Sequence, residues 1–330
     1  MKYSVLDLCP VGEGFTSVEA MQNTGEMAKL AEDLGFYRYW MAEHHNMPSI
    51  ASAATAVLLA YVGCQTTKMR IGAGGIMLPN HAPLSIAEQF GTLQNLFGDR
   101  VDLGIGRAPG GDHAVWQAFR RDQHDDDNFP AEVLELMGYL DDAKPGAVVQ
   151  AHPGQGTHVP LWILGSSLYG AQLAAQLGLP YAFASHFAPN VVEDASHIYR
   201  QNFKPSAALD KPYLMLGVNV AAADTDEEAA YHYSSLQQAI ARLRSGTPAK
   251  LPAPVKDIDA ELGLPLRRSI DQSLRFNAVG SPQTVHRRLE EIIQKYQPDE
   301  LMLTGQIHDH DARKKTFEIA ADALAKIAGA

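Results

Sequence analysis

Residues 70–107 read RIGAGGIMLPNHAPLSIAEQFGTLQNLFGDRVDLGIGR, and their order points to the fold class. A β-type run, Arg70–Ile76, gives way to a helical pattern with Pro83 in its first turn and Ile86, Phe90, Leu93 and Phe97 on one stripe. Gly98 stops the helix, Asp99-Arg100 turns the chain, and a second run, Val101–Ile105, begins. Strands that alternate with helices in this way imply a parallel sheet.

The alternation extends in both directions. Strand-like runs lie at Tyr3–Leu8, Tyr37–Met41, Arg70–Ile76, Val101–Ile105, Leu161–Leu164, Tyr181–Ala184, Leu214–Ala221 and Glu300–Leu303. Between the first two, Thr16 and Glu19 have capping-box spacing, and Ala20, Thr24, Met27, Ala28, Ala31 and Leu34 form one apolar face before Gly35. Eight such units favour an α/β fold closed into a (β/α)8 TIM barrel, with an open doubly wound sheet as the alternative. No low-complexity linker divides the 330 residues, so residues 1–330 are expected to form one domain. Two stretches, Ala108–Pro130 and Ser245–Pro282, read as irregular insertions after strands 4 and 7, either tolerated surface loops or active-site lids.

Composition excludes several classes of function. Hydrophobic residues make up 46% and charged residues 20%, as in a soluble protein with a large core. The formal net charge of -11 speaks against a nucleic-acid partner, which would require clustered Lys and Arg. Cys9 and Cys64 are too few for a disulfide framework and lack metal-type spacing. The N-terminus lacks a secretory pattern, and the longest apolar run, Ala53–Gly63, is too short to span a bilayer. A cytoplasmic protein with no membrane association is the expectation.

Barrel enzymes place their chemistry at the C-terminal ends of strands, which directs attention to Glu43-His44-His45 after the second run. Imidazole exchanges protons near neutral pH, so a rim histidine suits general acid/base work; a hydrogen-bonded structural pair explains the same residues. The third run ends in Gly74-Gly75, where missing Cβ atoms suit either close approach to a flat ligand or a tight strand end. Gly104-Ile105-Gly106-Arg107 repeats the arrangement and adds a cation. Gly165-Ser166-Ser167-Leu168-Tyr169 opens a helix, as a phosphate cradle or a plain serine cap would. A nicotinamide fingerprint fails because Pro109 occupies its third glycine position. His124-Asp125-Asp126-Asp127 and His308-Asp309-His310 read as solvated polar loops, and no metal site is expected.

Taken in order, Glu43-His44-His45, Gly74-Gly75 with Leu78-Pro79, Gly104-Ile105-Gly106-Arg107 and Gly165-Ser166-Ser167 make the chain resemble a luciferase-like flavin-dependent monooxygenase of the YhbW-like branch. The resemblance spans nearly the whole chain, including Ala42–Ala54, Ser85–Thr92 and Ala182–Pro189. It implies reduced FMN supplied by a separate NAD(P)H-dependent flavin reductase, O2 as co-substrate, a small organic substrate and a homodimer. It also implies that His44 lies at the reactive flavin face, with His45 or Glu43 supporting it and His186 as a substrate-side group. Gly74-Gly75 would carry a non-prolyl cis peptide, and Arg107 with Gly165, Ser166, Ser167 and Tyr169 would lie near the phosphate. Gly106 and Ser166 stand where the luciferase α chain has a cysteine and a glutamate, and Pro130 falls near its phosphate-contacting arginine, which argues against luminescence and a long-chain aldehyde. A deazaflavin-dependent oxidoreductase and a non-catalytic flavin-binding protein are the alternatives.

Overall fold

The computed structural model describes residues 1–108, 110–120 and 128–329. Every paired strand is parallel. Chain order gives β1 (Lys2–Asp7), β2 (Arg38–Met41), β3 (Arg70–Met77), β4 (Val101–Gly106), β5 (Leu161–Gly165), β6 (Tyr181–Phe183), β7 (Leu214–Ala222), β8 (Asn277–Gly280) and β9 (Glu300–Thr304). Strands β1 to β7 pair in sequence, β7 pairs with β9, and β9 returns to β1, so eight strands close a TIM barrel. The strand expected as the eighth is β9.

The additional strand, β8, corrects the sequence reading. It falls inside Ser245–Pro282, which also contains the helices Ile258–Leu262 and Leu264–Ser273 and is therefore not irregular. At four residues, β8 is too short to show a period of its own. It forms because β7 outruns the barrel: Met215–Asn219 pair with β9, and Asn219–Ala222 offer the remaining edge to Asn277–Gly280. Ile270 and Leu274 of the insertion bury against Tyr233 and Leu236 of the helix Asp226–Arg244. The first insertion contains the helix His113–Ala118 after β4, while Pro109 and His124-Asp125-Asp126-Asp127 lie outside the described residues.

Local signals in the helices act as expected. The Thr16 side chain caps the helix Ser17–Asp33, and Glu19 reaches back to the Thr16 N–H. Pro83 starts the next fully legible helix, Pro83–Phe97, and Gly98 ends it at φ 68°, where a side chain would be strained. Ile86, Phe90 and Leu93 face the strands from this helix.

Alternation along the strands separates two apolar layers. Val5, Tyr39, Met41, Ile71, Leu103 and Ile163 point outward beneath the helices. Leu6, Leu8, Trp40, Ala42, Trp162, Ala182, Met215 and Met302 fill the barrel interior. On the outward side Arg313 of the last helix, His310–Gly329, pairs with Asp7 at 2.7 Å, and Asp7 also accepts from the Tyr39 hydroxyl, Thr24 and the Cys9 N–H.

The floor of the barrel is ionic. Arg38, the first residue of β2, donates to Asp102 of β4 at 2.7 Å and to Glu300 of β9 at 2.9 Å. Arg70 at the start of β3 adds a second cation on Asp102 at 2.6 Å. The remaining acceptor capacity of the two carboxylates is taken by Trp40 Nε1–H on Asp102 at 3.1 Å, Tyr213 on Glu300 at 2.8 Å, and Ser4 on Glu300. The Arg38 guanidinium also lies 4.6 Å from the centre of the Trp162 ring. Two arginines balance two carboxylates with donors satisfied, the condition under which a buried ion network is tolerated. Removing one partner is another matter: Arg38→Met should lower unfolding free energy by about 3–5 kcal/mol, read as a lower urea midpoint, because it leaves two buried carboxylates short of a cation. An unchanged midpoint would show that the network contributes nothing to stability.

Candidate active site

The barrel rim after β2 is organised around Glu43. This side chain is 1% exposed, and both of its oxygens are engaged. His45 Nε2 lies 2.8 Å from Oε1 and His81 Nε2 2.9 Å from the same oxygen; Asn80 Nδ2 donates to it at 3.3 Å and the Met77 N–H donates to Oε2 at 3.0 Å. Burial alone would raise the Glu43 carboxyl, yet the hydrogen bonds from His45, His81 and Met77 outweigh it and hold the group at about 2. Glu43 is therefore an anion that ties the ends of β2 and β3 together. Asn80 and His81 escaped the sequence reading; their only signal was that they follow the glycine-rich strand of β3 by three to four residues.

His44 takes a different part. Its backbone N–H is held by the Ser52 carbonyl at 3.0 Å, while its side-chain Nδ1 is buried without a hydrogen-bond partner. Burial, together with repulsion from His45 and against attraction from Glu43, lowers its pKa, so the ring is neutral near pH 7. His45 is fixed by Glu43 and by the Phe119 ring, whose centre is 4.9 Å from its own, and its N–H donates to the Gly110 carbonyl at 2.8 Å.

Across the mouth His186 follows β6. A Cβ on Gly217 of β7 would come within 2.3 Å of His186 Nδ1, so the imidazole occupies the interior space that this glycine leaves open. That Nδ1 is also buried and unpartnered. Burial and the neighbouring His44 bring the pKa of His186 down to about 4. Two neutral imidazoles with an unused ring nitrogen thus lie within electrostatic reach of each other above the apolar interior.

The glycine strand has a specific structural cause. Gly74-Gly75 is joined by a cis peptide, and the pairing of β3 with β4 shifts register across it. A Cβ on Gly74 would meet Leu6 and Trp40 at 2.9–3.0 Å, and one on Gly75 would meet the Gly104 carbonyl at 2.7 Å. Interior side chains therefore pack directly on this backbone, which explains the glycines.

Beside this wall, Arg107 follows β4 and its guanidinium stacks 4.4 Å from the centre of the Tyr169 ring. Arg107 is exposed and makes no ion pair among the described residues. Ser166 and Ser167 are exposed at the start of the helix Leu168–Leu177, and the Ser167 hydroxyl does not cap it, so helix N–H groups, hydroxyls and a cation converge after Gly165. By contrast, His308 donates to the Glu13 carbonyl at 2.9 Å, His310 lies 3.1 Å from Glu26, and Asp309 accepts from the Ala312 N–H. That loop is structural.

The Glu43 hub has a pH signature. A carboxyl held at about 2 when folded, against an ordinary value near 4.5, stabilises the protein fully above the ordinary value, and that contribution is lost as pH falls toward the folded value. Glu43→Gln should lower the urea midpoint near pH 7, and its deficit relative to the parent should shrink as the pH is lowered from about 6 to about 3.5. A deficit independent of pH would assign the effect of the substitution to packing.

The family description luciferase-like monooxygenase matches residues 1–299. A protein of Escherichia coli K12 named luciferase-like monooxygenase is 48% identical over 328 residues, covering 99% of this chain and 98% of the other. The N-acetyl-S-alkylcysteine monooxygenase of Bacillus subtilis is 32% identical over 253 residues, covering 74% and 75% of the two chains. Among solved structures, apo-MsnO8 superposes with a TM-score of 0.90 at 34% identity and 98% coverage of both chains. Two more distant structures share the fold: the oxygenating constituent of 3,6-diketocamphane monooxygenase of Pseudomonas putida in complex with FMN (TM-score 0.73, 15% identity, 99% and 98% coverage) and an F420-dependent secondary alcohol dehydrogenase (TM-score 0.70, 15% identity, 98% of each). The matched family, the relatives spanning the chain and the histidine-bearing barrel mouth agree: the chain belongs to the luciferase-like monooxygenase family of oxidoreductases.

Proposed function

We propose that this chain is the oxygenase component of a two-component FMN-dependent monooxygenase, receiving reduced FMN from a separate NAD(P)H-dependent flavin reductase and oxygenating a small organic substrate in the cytoplasm. The observation that carries this reading is the unpartnered Nδ1 of His44, buried after β2, the strand that pairs with the glycine-bearing β3. Such an atom is costly unless a ligand or reacting group completes it. FMN described in the diketocamphane relative suits the donor set here, and reduced FMN would supply the electrons that activate O2.

In this reading Arg107, Ser166 and Ser167 receive the phosphate after Gly165, with Tyr169 holding the guanidinium in place. The Gly74-Gly75 strand end forms the wall for the flat ring system. Glu43 and His45 fix the loop that presents His44, and His44, neutral before reaction, donates or accepts the proton at Nδ1. His186 faces the substrate side. The exposed apolar side chains Val57 and Tyr61 on the helix Thr55–Gln65 and Leu96 on Pro83–Phe97 support a homodimer through these helices.

Titration of the purified chain with FMN, FMNH2 and the deazaflavin F420 tests the cofactor. Binding of FMNH2 is the expected result; tight binding of F420 alone would replace the proposal with a deazaflavin oxidoreductase. Arg107→Ala should weaken FMN about 10- to 100-fold and leave riboflavin, which lacks the phosphate, nearly unchanged. Equal losses for both would remove Arg107 from the phosphate. His44→Ala should retain FMN binding while substrate oxygenation falls about 100-fold or more and O2 consumption is diverted to hydrogen peroxide.

A further inference from the structure

The mouth of the barrel holds a set of polar groups that the cofactor reading does not use. Strand β9 alternates cleanly: Glu300 joins the ionic floor, Met302 lies in the interior cluster, and Thr304, two residues on, faces the same interior at its C-terminal end. Thr304 is 2% exposed, and its Oγ1 is buried with no hydrogen-bond partner. On the neighbouring strand β7, Met215, Gly217 and Asn219 share the inward face, and Asn219 is in register with Thr304. Asn219 is 3% exposed and donates through Nδ2 to the His186 carbonyl at 2.5 Å, which fixes its orientation. Above Gly217 lies the unpartnered His186 Nδ1, within electrostatic reach of His44.

We infer that His186, Asn219 and Thr304 form the receptor for an uncharged hydrogen-bonding group of the organic substrate, a carbonyl or hydroxyl carried on an otherwise apolar skeleton. This deepens the monooxygenase proposal and rests on it for the role of the opposite half of the mouth. Arg107, Ser166 and Ser167 follow β4 and β5, whereas His186 follows β6 and Asn219 and Thr304 belong to β7 and β9, so the two sets occupy different arcs of the rim. The chemistry of the second arc is neutral. Its inward side chains above Met215 and Met302 are an amide and a hydroxyl, with the His186 ring filling the space at Gly217. His186 remains uncharged down to about pH 4. Two carboxylates at this end of the barrel are committed to other partners, Glu43 to His45 and His81 and Asp7 to Arg313 on the outer face. Beneath lie Ala182, Met215 and Met302, which suit a hydrocarbon body. An ionised substrate would enter this arc without a counter-charge and lose its hydration, whereas a ketone or alcohol would complete Thr304 Oγ1 and His186 Nδ1 at little desolvation cost. Oriented by these atoms and facing His44, such a substrate would present its skeleton toward the cofactor arc.

The test uses the full-length chain, with and without FMN, and three ring probes of similar size: cyclohexanone, methylcyclohexane and cyclohexanecarboxylate. Dissociation constants come from ligand-observed NMR, and the ring 15N shifts of His186 report local contact. Cyclohexanone should bind most tightly and shift the His186 ring nitrogens. Thr304→Val should weaken cyclohexanone about three- to tenfold, as expected for one neutral hydrogen bond, and leave methylcyclohexane unchanged; His186→Phe should do the same. Thr304→Val should also leave the urea midpoint level or raised, because it removes a buried hydroxyl that has no partner. Tighter binding of the carboxylate, unchanged affinity for cyclohexanone in both variants, or a lowered midpoint for Thr304→Val would each overturn the assignment. A parent chain that discriminates the probes but binds neither FMN nor FMNH2 would overturn the monooxygenase proposal alone; one that binds FMNH2 without discriminating the probes would overturn this inference alone.

Discussion

The Arg38 guanidinium, shared between Asp102 and Glu300 inside the barrel, is the interaction on which the rest of the structure depends. It joins β2, β4 and β9 at their starts, and Arg70 extends the link to β3. A one-residue slip in any of these strands would move a charge from the interior to the helix-facing layer, where nothing matches it. The network therefore fixes register, and register fixes which side chains emerge at the opposite end. Counting up from Arg38 places Trp40 and Ala42 in the interior; counting up from Glu300 places Met302 and then Thr304 there.

The two ends of the barrel consequently differ in kind. At the floor, opposite charges are buried together and saturated with donors, which makes that end a closed structural element. At the mouth the anion Glu43 is equally saturated, but its partners are loop residues whose positions decide where His44 stands. Buried polar atoms without a partner lie here on His44, His186 and Thr304, as they also do on His232 and Ser235 of the helix Asp226–Arg244. Proteins rarely leave such atoms buried without a compensating use. At the mouth three such atoms stand above a floor that is fully saturated, and the proposed ligand roles rest on that difference between the two ends.

Much of this architecture was legible in short-range pattern. The capping box at Thr16 and Glu19, the Pro83 start and Gly98 stop, and eight strand-like runs all have local physical causes, and each appears where its residues placed it. Strand β8 was not legible, because Asn277–Gly280 is a strand only by virtue of the edge that β7 leaves beyond β9. The packing of the Ser245–Pro282 insertion escaped for the same reason: its partners, Tyr233 and Leu236, lie on a preceding helix. Around the candidate site, Glu43-His44-His45, Arg107 and the serine pair stood out, whereas Asn80, His81, Asn219 and Thr304 did not. Single polar residues in or after a strand carry no periodic signal that distinguishes a hub from a bystander.

By itself, the sequence determined the alternation of parallel strands with helices, the ends of the helices that follow Thr16 and begin at Pro83, and the segments that make up the candidate site, because each follows from the spacing of apolar, capping and glycine residues along the chain; it left an open sheet as the alternative to the barrel. It left open whether the rim histidines were a structural pair. Only the tertiary structure separated their parts, engaging His45 with Glu43 while His44 keeps a free buried nitrogen. It alone also brought His186, Asn219 and Thr304 together from three strands. The physical reason is that hydrogen bonding and desolvation depend on distance through space, and barrel closure makes neighbours of residues more than two hundred positions apart in sequence, such as Arg38 and Glu300.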